Sequence, residues 1–241
     1  MIDNNGREDT IKILSDHQLS CMTFIISIQL EDSIIVAADK RNATVDYEVL
    51  SDESKKLYTW KNGIIAGTGE ETVISRAIEF FIKLSDSNIE NLPKCLKISR
   101  LMRELEANHF HIHNSKMMYS EYTETGAWLT SIEPNENGEY KVKKFEPNSI
   151  ILSFFNPDVS AILPNLQVLY ANLKPYSSFE NQNEWINYYL SQLCQIFKKQ
   201  ANADHMMSRN FDVFFQTKDV CLHEHIPNNY NFPLETSLLT T

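Results

Sequence analysis

Two apolar, β-branched runs near the start of the chain predict an antiparallel hairpin. They cover residues 23–30 and 33–38 and flank the polar pair Glu31-Asp32, a pattern typical of two strands joined by a tight turn. The pair lacks the glycine or asparagine that a two-residue hairpin prefers. With the turn centred there, the numbers of facing residues sum to 63. Position 23 is then expected beside Lys40 and within side-chain reach of Asp39.

The rest of the pattern alternates groups of strands with pairs of helices. A strand at 64–66 leads through Gly67-Thr68-Gly69 into a helix, and a second helix at 95–107 carries the apolar stripe Leu96, Ile98, Leu101, Met102 and Leu105. Further strands are predicted at 117–123, 127–132, 140–145, 149–155, 211–216 and 220–223, and a long helix at 183–200 presents Trp185, Tyr189, Leu193 and Ile196. This order predicts an α+β fold, a four-layer αββα sandwich of two antiparallel sheets between helices.

The residue at the start of the first strand is a threonine that follows a methionine. Thr23 becomes the first residue if Met22 is the true start and is trimmed, or if residues 1–22 are cut away. An N-terminal threonine carries its own base, an α-amine with an ordinary pKa of about 7.7 to 8.0. A nearby lysine would hold that amine neutral, and a carboxylate would fix the lysine. Threonine, lysine and aspartate around an amine therefore form a self-sufficient set for amide cleavage.

Three segments carry a resemblance to a known family. The run TFIISIQLEDSIIVAADKR at 23–41, the segment KKLY at 55–58 and the segment NGIIAG at 62–67 resemble the opening third of proteasome β-type subunits and of the bacterial protease subunit HslV. Both are N-terminal-nucleophile (Ntn) hydrolases.

The resemblance implies a role for four residues. Thr23 would be nucleophile and base, Asp39 the carboxylate that holds the lysine, Lys56 the charge beside the amine, and Gly67 the oxyanion donor. Counting from Thr23 points instead to Lys55, whereas the frame of the following strand favours Lys56. The glycine pattern alone is also compatible with a tight strand-to-helix turn that binds no ligand.

The resemblance fades after about residue 85, and two serines mark where the sequence departs from it. Ser153 lies in ILSFF, without the glycines that flank the family's serine. Ser208 follows Asp204, which is one residue too early for the family's Asp-x-x-Ser-Gly pattern, and Arg209 replaces the glycine. We expect both serines to support the threonine. A support shell rebuilt in this way can leave a site present but slack.

Composition and net charge indicate which kinds of partner and which cell compartment to expect. The net charge of −10 disfavours nucleic acid and anionic membranes, and no apolar run is long enough to span a bilayer. Residues 1–22 lack the pattern of a secretion signal, and four scattered cysteines predict a cytoplasmic protein. We expect an extension at 1–22, one domain at 23–226 and a tail at 227–241, with no cofactor.

Alternating histidines are the one other candidate for chemistry. His109, His111 and His113 have strand-like spacing, and His223 and His225 repeat it beside a cysteine. Such spacing can bind zinc, but no carboxylate accompanies it at a defined distance. We therefore expect no metal site and interpret these residues as loop or surface histidines.

Three functional hypotheses follow. The first is a threonine peptidase that hydrolyses polypeptides after residues 1–22 are removed. The second is a catalytically inactive ring subunit that keeps the fold, and the third is an Ntn amidase for a small amide. The resemblance implies a homo-oligomeric ring by analogy; an ATPase partner stays unknown.

Overall fold

The computed structural model describes residues 19–20, 23–44, 48–154 and 158–230 of the 241-residue chain. The strands are β1 Leu19–Ser20, β2 Phe24–Gln29, β3 Ile34–Asp39, β4 Asn42–Thr44, β5 Val49–Ser51, β6 Leu57–Trp60, β7 Gly63–Thr68, β8 Lys116–Thr123, β9 Gly126–Pro134, β10 Tyr140–Lys144, β11 Ser149–Phe154, β12 Phe211–Gln216 and β13 Cys221–Ile226. The helices are α1 Glu71–Leu84, α2 Leu92–Glu106, α3 Phe110–His113, α4 Leu163–Ala171 and α5 Gln182–Ala203. The mixed α+β class is confirmed. Cys21, Met22 and the tail from residue 231 lie outside the described residues.

The strands form three antiparallel sheets. One five-stranded sheet has the order β11-β2-β3-β12-β13, the other has the order β10-β9-β8-β7-β6, and a small sheet has the order β1-β4-β5. None of the described helices is both long and apolar enough to cross a membrane.

The predicted hairpin register is confirmed. Ile25 pairs with Ala38 and Ile28 with Ile35, so facing numbers sum to 63. The turn closes without glycine because the Asp32 carboxylate anchors it. This carboxylate accepts the Tyr176 N–H at 2.8 Å and the Ser177 N–H at 2.9 Å. Burial alone would raise the pKa of Asp32, but hydrogen bonds from Ser177, Ser33 and Tyr176 outweigh it and lower that pKa.

Three apolar clusters hold the sheets and helices together. The largest joins β2, β3 and β12 to α4 and α5, and includes Phe24, Tyr189, Phe197 and Phe211. The second joins β7 and β8 to α1 and α2. The third unites residues of the two five-stranded sheets. Burial of this apolar surface is the main force that fixes how the elements pack.

Two buried glutamines also link the five-stranded sheets, at the end that contains the Glu31-Asp32 turn. The Gln29 amide donates to the Ala127 carbonyl at 3.1 Å and accepts the Leu129 N–H at 2.7 Å. The Gln216 amide oxygen accepts the Ser120 hydroxyl at 2.5 Å. Both glutamine side chains are therefore satisfied in the interior, as buried polar groups must be.

The predicted stripes of the long helices differ in outcome. In α5, Trp185, Tyr189, Leu193 and Ile196 are all buried, as expected. In α2 most of the predicted apolar stripe is exposed. Only Leu96 is buried; Ile98, Leu101, Met102 and Leu105 are exposed.

The inner face of α2 is partly polar, and its polar groups contact other elements. The Ser99 hydroxyl donates to the Val73 carbonyl at 2.8 Å. The Arg100 guanidinium lies 5.2 Å from the centre of the Tyr140 ring. Ile98, Leu101, Met102 and Leu105 share one side of the helix, and partners from other elements decided that the opposite side turned inward.

Candidate active site

Thr23 lies directly before β2 and is buried, with 3% of its surface exposed. The hairpin register brings the end of β3 beside it. The N–H of Phe24, the next residue, donates to the Asp39 carboxylate at 2.8 Å. The hairpin therefore places a carboxylate against the backbone of the threonine's neighbour.

The same carboxylate holds a buried lysine. The Lys56 ammonium lies 2.6 Å from the Asp39 oxygen that accepts the Phe24 N–H, and the two side chains are 1% and 0% exposed. A third hydrogen bond to Asp39 comes from the Arg41 N–H at 3.0 Å. Because one oxygen binds both groups, the Lys56 ammonium lies within two hydrogen-bond lengths of the Phe24 nitrogen.

The structure distinguishes Lys55 from Lys56 as the candidate site lysine. Its side chain is exposed, and its ammonium lies 5.2 Å from the centre of the Tyr58 ring. Lys56 instead directly precedes β6 and points to the end of β3, so its ion pair joins the two five-stranded sheets. Of the two lysines, Lys56 is the one that pairs with the carboxylate beside Thr23.

Gly67 lies in β7, one residue beyond the last pair with β6. That last pair is Leu57 with Ala66, so one further step of the same register leads to Lys56 and Gly67. β7 continues through Thr68, so the prediction that the strand ends at 66 was wrong. A Cβ at Gly67 would lie 2.5 Å from the Cγ2 atom of Ile74 in α1, so a larger residue here would force Ile74 to move. Two residues later, Gly69 has a positive φ of 125°, a backbone conformation that favours glycine.

Of the two predicted serines, Ser208 contacts the residue after Asp39, and Ser153 lies on the strand beside β2. The Ser208 hydroxyl is buried, accepts the Lys40 N–H at 2.8 Å and donates to the Asn210 carbonyl at 2.8 Å. Ser153 pairs with Ile25 across β11 and β2 and is 4% exposed. The roles of the two serines in supporting Thr23 stay predictions.

Asp204 has a local structural contact. It follows the last turn of α5, and its carboxylate accepts the Met206 N–H at 2.9 Å. This hydrogen bond shapes the loop that leads to Ser208. Asp204, which lies one residue too early for the family's motif, thus has a structural role in its own turn.

Two further ion pairs adjoin the site, and sequence reasoning missed both. The Lys40 ammonium lies 2.9 Å from the Asp212 carboxylate, which also contacts Nδ1 of His225 at 2.8 Å. Arg41 binds Asp52 with two hydrogen bonds, of 2.6 and 2.7 Å. The hydrogen bond from Arg41 lowers the pKa of Asp52. Three consecutive charged residues at the end of a strand were the one signal that could have indicated these pairs.

The first set of alternating histidines does not form a strand. His109 precedes the short helix α3, which contains His111 and His113, so the strand-like interpretation was wrong for these three. His223 and His225 do lie in a strand, β13. Burial lowers the pKa of His109 and of His111. Among the described residues, no three histidine, cysteine, aspartate or glutamate side chains are arranged to hold a metal ion.

Comparison with known proteins gives a likeness in fold. No family model and no curated protein matches the sequence. Similar solved structures include the Gly-1 mutant of Anbu from Hyphomicrobium sp. strain MC1, with 12% identity, a TM-score of 0.61 and coverage of 86% of this chain and 89% of that chain. The helical assembly of the Anbu complex from Pseudomonas aeruginosa matches with 12% identity, a TM-score of 0.61 and coverage of 86% and 88%. Anbu from Yersinia bercovieri, described as an ancestral beta-subunit, matches with 11% identity, a TM-score of 0.60 and coverage of 86% and 88%.

These comparisons correct the family inferred from the sequence. The prediction of a proteasome β-type or HslV-like subunit was wrong, because the similar structures are Anbu proteins. Identities of 11% and 12% carry the fold and leave the chemistry to be argued from this chain's own residues.

Proposed function

We propose that this chain is a threonine-type Ntn peptidase that becomes active when its first residue is Thr23. The observation that carries the proposal is the buried Asp39 carboxylate, which binds the Lys56 ammonium at 2.6 Å and the Phe24 N–H at 2.8 Å. A buried ion pair is costly unless its surroundings compensate it. Because this ion pair lies beside Thr23, we attribute it to a catalytic role and not to a gain in stability.

The proposed reaction begins when the Thr23 hydroxyl attacks a peptide carbonyl and passes its proton to the free α-amine of the same residue. The Gly67 N–H donates a hydrogen bond to the oxyanion. The protonated amine then gives its proton to the leaving nitrogen, and the C–N bond breaks to leave an ester on Thr23. Water, deprotonated by the amine, hydrolyses this ester and restores the hydroxyl.

Lys56 and Asp39 set the proton affinity of the amine in this scheme. A neighbouring ammonium disfavours a second positive charge, so it favours the neutral, basic form of the amine at physiological pH. The Asp39 carboxylate holds the Lys56 ammonium in place. Ser153 and Ser208 would steady the strand ends that carry Thr23 and Lys40.

The proposal extends to the whole chain. Residues 1–22 would be removed, 23–226 would form the four-layer αββα domain, and 227–241 would be a tail. Helix-packed clusters on each five-stranded sheet, together with the cluster between the sheets, support this layering. The substrate would be a polypeptide in the cytoplasm, handled by a homo-oligomeric ring.

A second candidate is a catalytically inactive subunit that keeps its upstream segment. One observation favours it: Leu19 and Ser20 pair with Thr44 and Ala43, so residues shortly before Thr23 are part of a sheet. While residues 1–22 stay attached, the nitrogen of Thr23 is a peptide amide and cannot act as a base.

The test uses a chain that begins at Thr23, released from an N-terminal fusion by a cut directly before that residue. Intact mass first verifies the new terminus, and the chain is then treated with an epoxyketone or a β-lactone. We expect one adduct per chain on Thr23, its loss in Thr23→Ala and its retention in Thr23→Ser. Lys56→Met should slow labelling about 100-fold or more, whereas Lys55→Met, the matched control, should not.

The remaining outcomes separate the hypotheses. A chain with the correct terminus that takes no adduct would overturn the peptidase proposal and favour the inactive subunit. Turnover of small amides without cleavage of an unfolded polypeptide would instead indicate the amidase.

A further inference from the structure

Helix α2 exposes an apolar stripe. Ile98, Leu101, Met102 and Leu105 are 41%, 45%, 42% and 90% exposed. Their spacing of three and four residues places them on one side of the helix. Four large apolar side chains along one helix side form the kind of exposed patch that marks an interaction surface.

A groove lies at one end of this stripe and a projecting side chain at the other. The groove has a volume of about 300 Å³ and is lined mainly by Phe80 and Leu84 of α1 and by Cys95 and Ile98 of α2. Leu105 projects from the opposite end of α2. About 15 Å of helix axis separates Leu105 from Cys95, at 1.5 Å per residue.

The charges beside the stripe are mostly paired within the chain. Glu104 binds Arg100, Glu106 binds Arg76 and Arg103, and Lys97 binds Glu139. The complementarity between the two ends of the helix therefore lies in shape, a groove at one end and a projecting leucine at the other. A surface that contains its own complement suits a two-fold contact between identical chains.

We propose that α2 is the contact helix of a two-fold homodimer in which two copies of α2 pack antiparallel. With the axis near Leu101, Leu105 of each copy enters the groove at Cys95 and Ile98 of the other. Ile98 then faces Met102 across the contact. A partner of another kind would not require the groove and Leu105 to occur on the same helix.

The first test measures the mass of the full chain in solution by light scattering. The unmodified chain should form an even-numbered assembly, and Leu105→Asp should halve its mass. Because Leu105 is 90% exposed, the substitution should not destabilise the folded monomer itself. The variant should therefore melt at the same temperature as the unmodified chain after that chain has dissociated. Val168→Asp is the matched control, since Val168 is an exposed apolar residue of α4 at 58%, and it should leave the mass unchanged.

The second test distinguishes a two-fold contact from a head-to-tail contact. Near a two-fold axis a residue meets its own copy, so Leu101→Cys should form a covalent dimer with a short bismaleimide. The unmodified chain, which has the same native cysteines, and Val168→Cys should not form it. A monomeric unmodified chain, an unchanged mass for Leu105→Asp, or an assembly in which Leu101→Cys fails to cross-link would overturn the proposal. None of these readouts depends on Thr23 chemistry.

Discussion

Two ion pairs that start two residues apart at the end of β3 lie in opposite surroundings. Asp39 pairs with Lys56 in the interior, where the side chains are 0% and 1% exposed. Arg41 pairs with Asp52 near the surface, where they are 19% and 36% exposed. The distances are equal at 2.6 Å, so separation does not distinguish them. Burial does, because water screens the surface pair and cannot screen the inner one.

The comparison teaches what each pair contributes. A surface pair adds little to stability whether it is present or removed. An inner pair adds little as a unit but is costly to break, because the remaining partner is left charged in the interior. The Asp39–Lys56 pair therefore fixes a charge at a defined place, and the Arg41–Asp52 pair mainly orders the adjoining loop.

The largest expected effect comes from breaking the inner pair. Asp39→Asn should reduce the free energy of unfolding by about 3 to 5 kcal/mol, because the Lys56 ammonium loses its counter-charge. Urea denaturation of the full chain measures the change. Adding Lys56→Met to this variant should recover part of the loss. If the stability lost in the double variant were instead the sum of the losses in Asp39→Asn and in Lys56→Met, the inner pair would behave like a surface pair.

An intermediate effect is expected at Asp212, where the ion pair with Lys40 is 11% and 16% exposed. Asp212→Asn should cost roughly 1.5 to 3 kcal/mol, the range for a hydrogen bond to a charged group. The same denaturation series checks this value. A cost equal to that of Asp39→Asn would show that burial does not order the effects.

A small effect is expected at the surface pair. Asp52→Asn should cost about 0.2 to 1 kcal/mol, and the difference from the unmodified chain should shrink in about 1 M salt, where the Debye length is near 3 Å. Unfolding at low and high salt measures both values. A difference as large in high salt as in low salt would contradict the assignment of this pair to screened surroundings.

The pH dependence of Asp52 should be the smallest signal. Arg41 lowers the pKa of this carboxyl below its ordinary 3.8, so the folded state releases that proton more readily than the unfolded state. The stabilisation is complete above about pH 4 and is lost as the pH falls through the lower folded value. Unfolding free energies of the unmodified chain and of Asp52→Asn should therefore converge in acid. A gap that widens in acid would reverse the sign.

The sequence predicted what its local pattern determines. The hairpin register followed from two apolar runs around Glu31-Asp32, and that register alone was enough to bring Asp39 beside the start of β2. The buried face of α5 followed from its periodicity. These features depend on neighbours along the chain, so a single segment contained enough information.

The rest depended on segments that meet only after folding. Asp212 and Asp52 reach the end of β3 from distant parts of the chain, and nothing near them in sequence marks their partners. The exposed stripe of α2 and the buried stripe of α5 both follow the three- and four-residue period of a helix. Periodicity shows that residues share a face, but it does not show what that face meets.

The two glutamines at the far end of the sheets have a mechanical consequence. Each amide must keep both its donor and its acceptor satisfied, and sliding one sheet along the other would separate these groups from their partners. The hydrogen bonds of Gln29 and Gln216 thus oppose any sliding of one sheet relative to the other. We therefore expect any change of shape to arise in the segments that connect the strands, with the two paired sheets moving together.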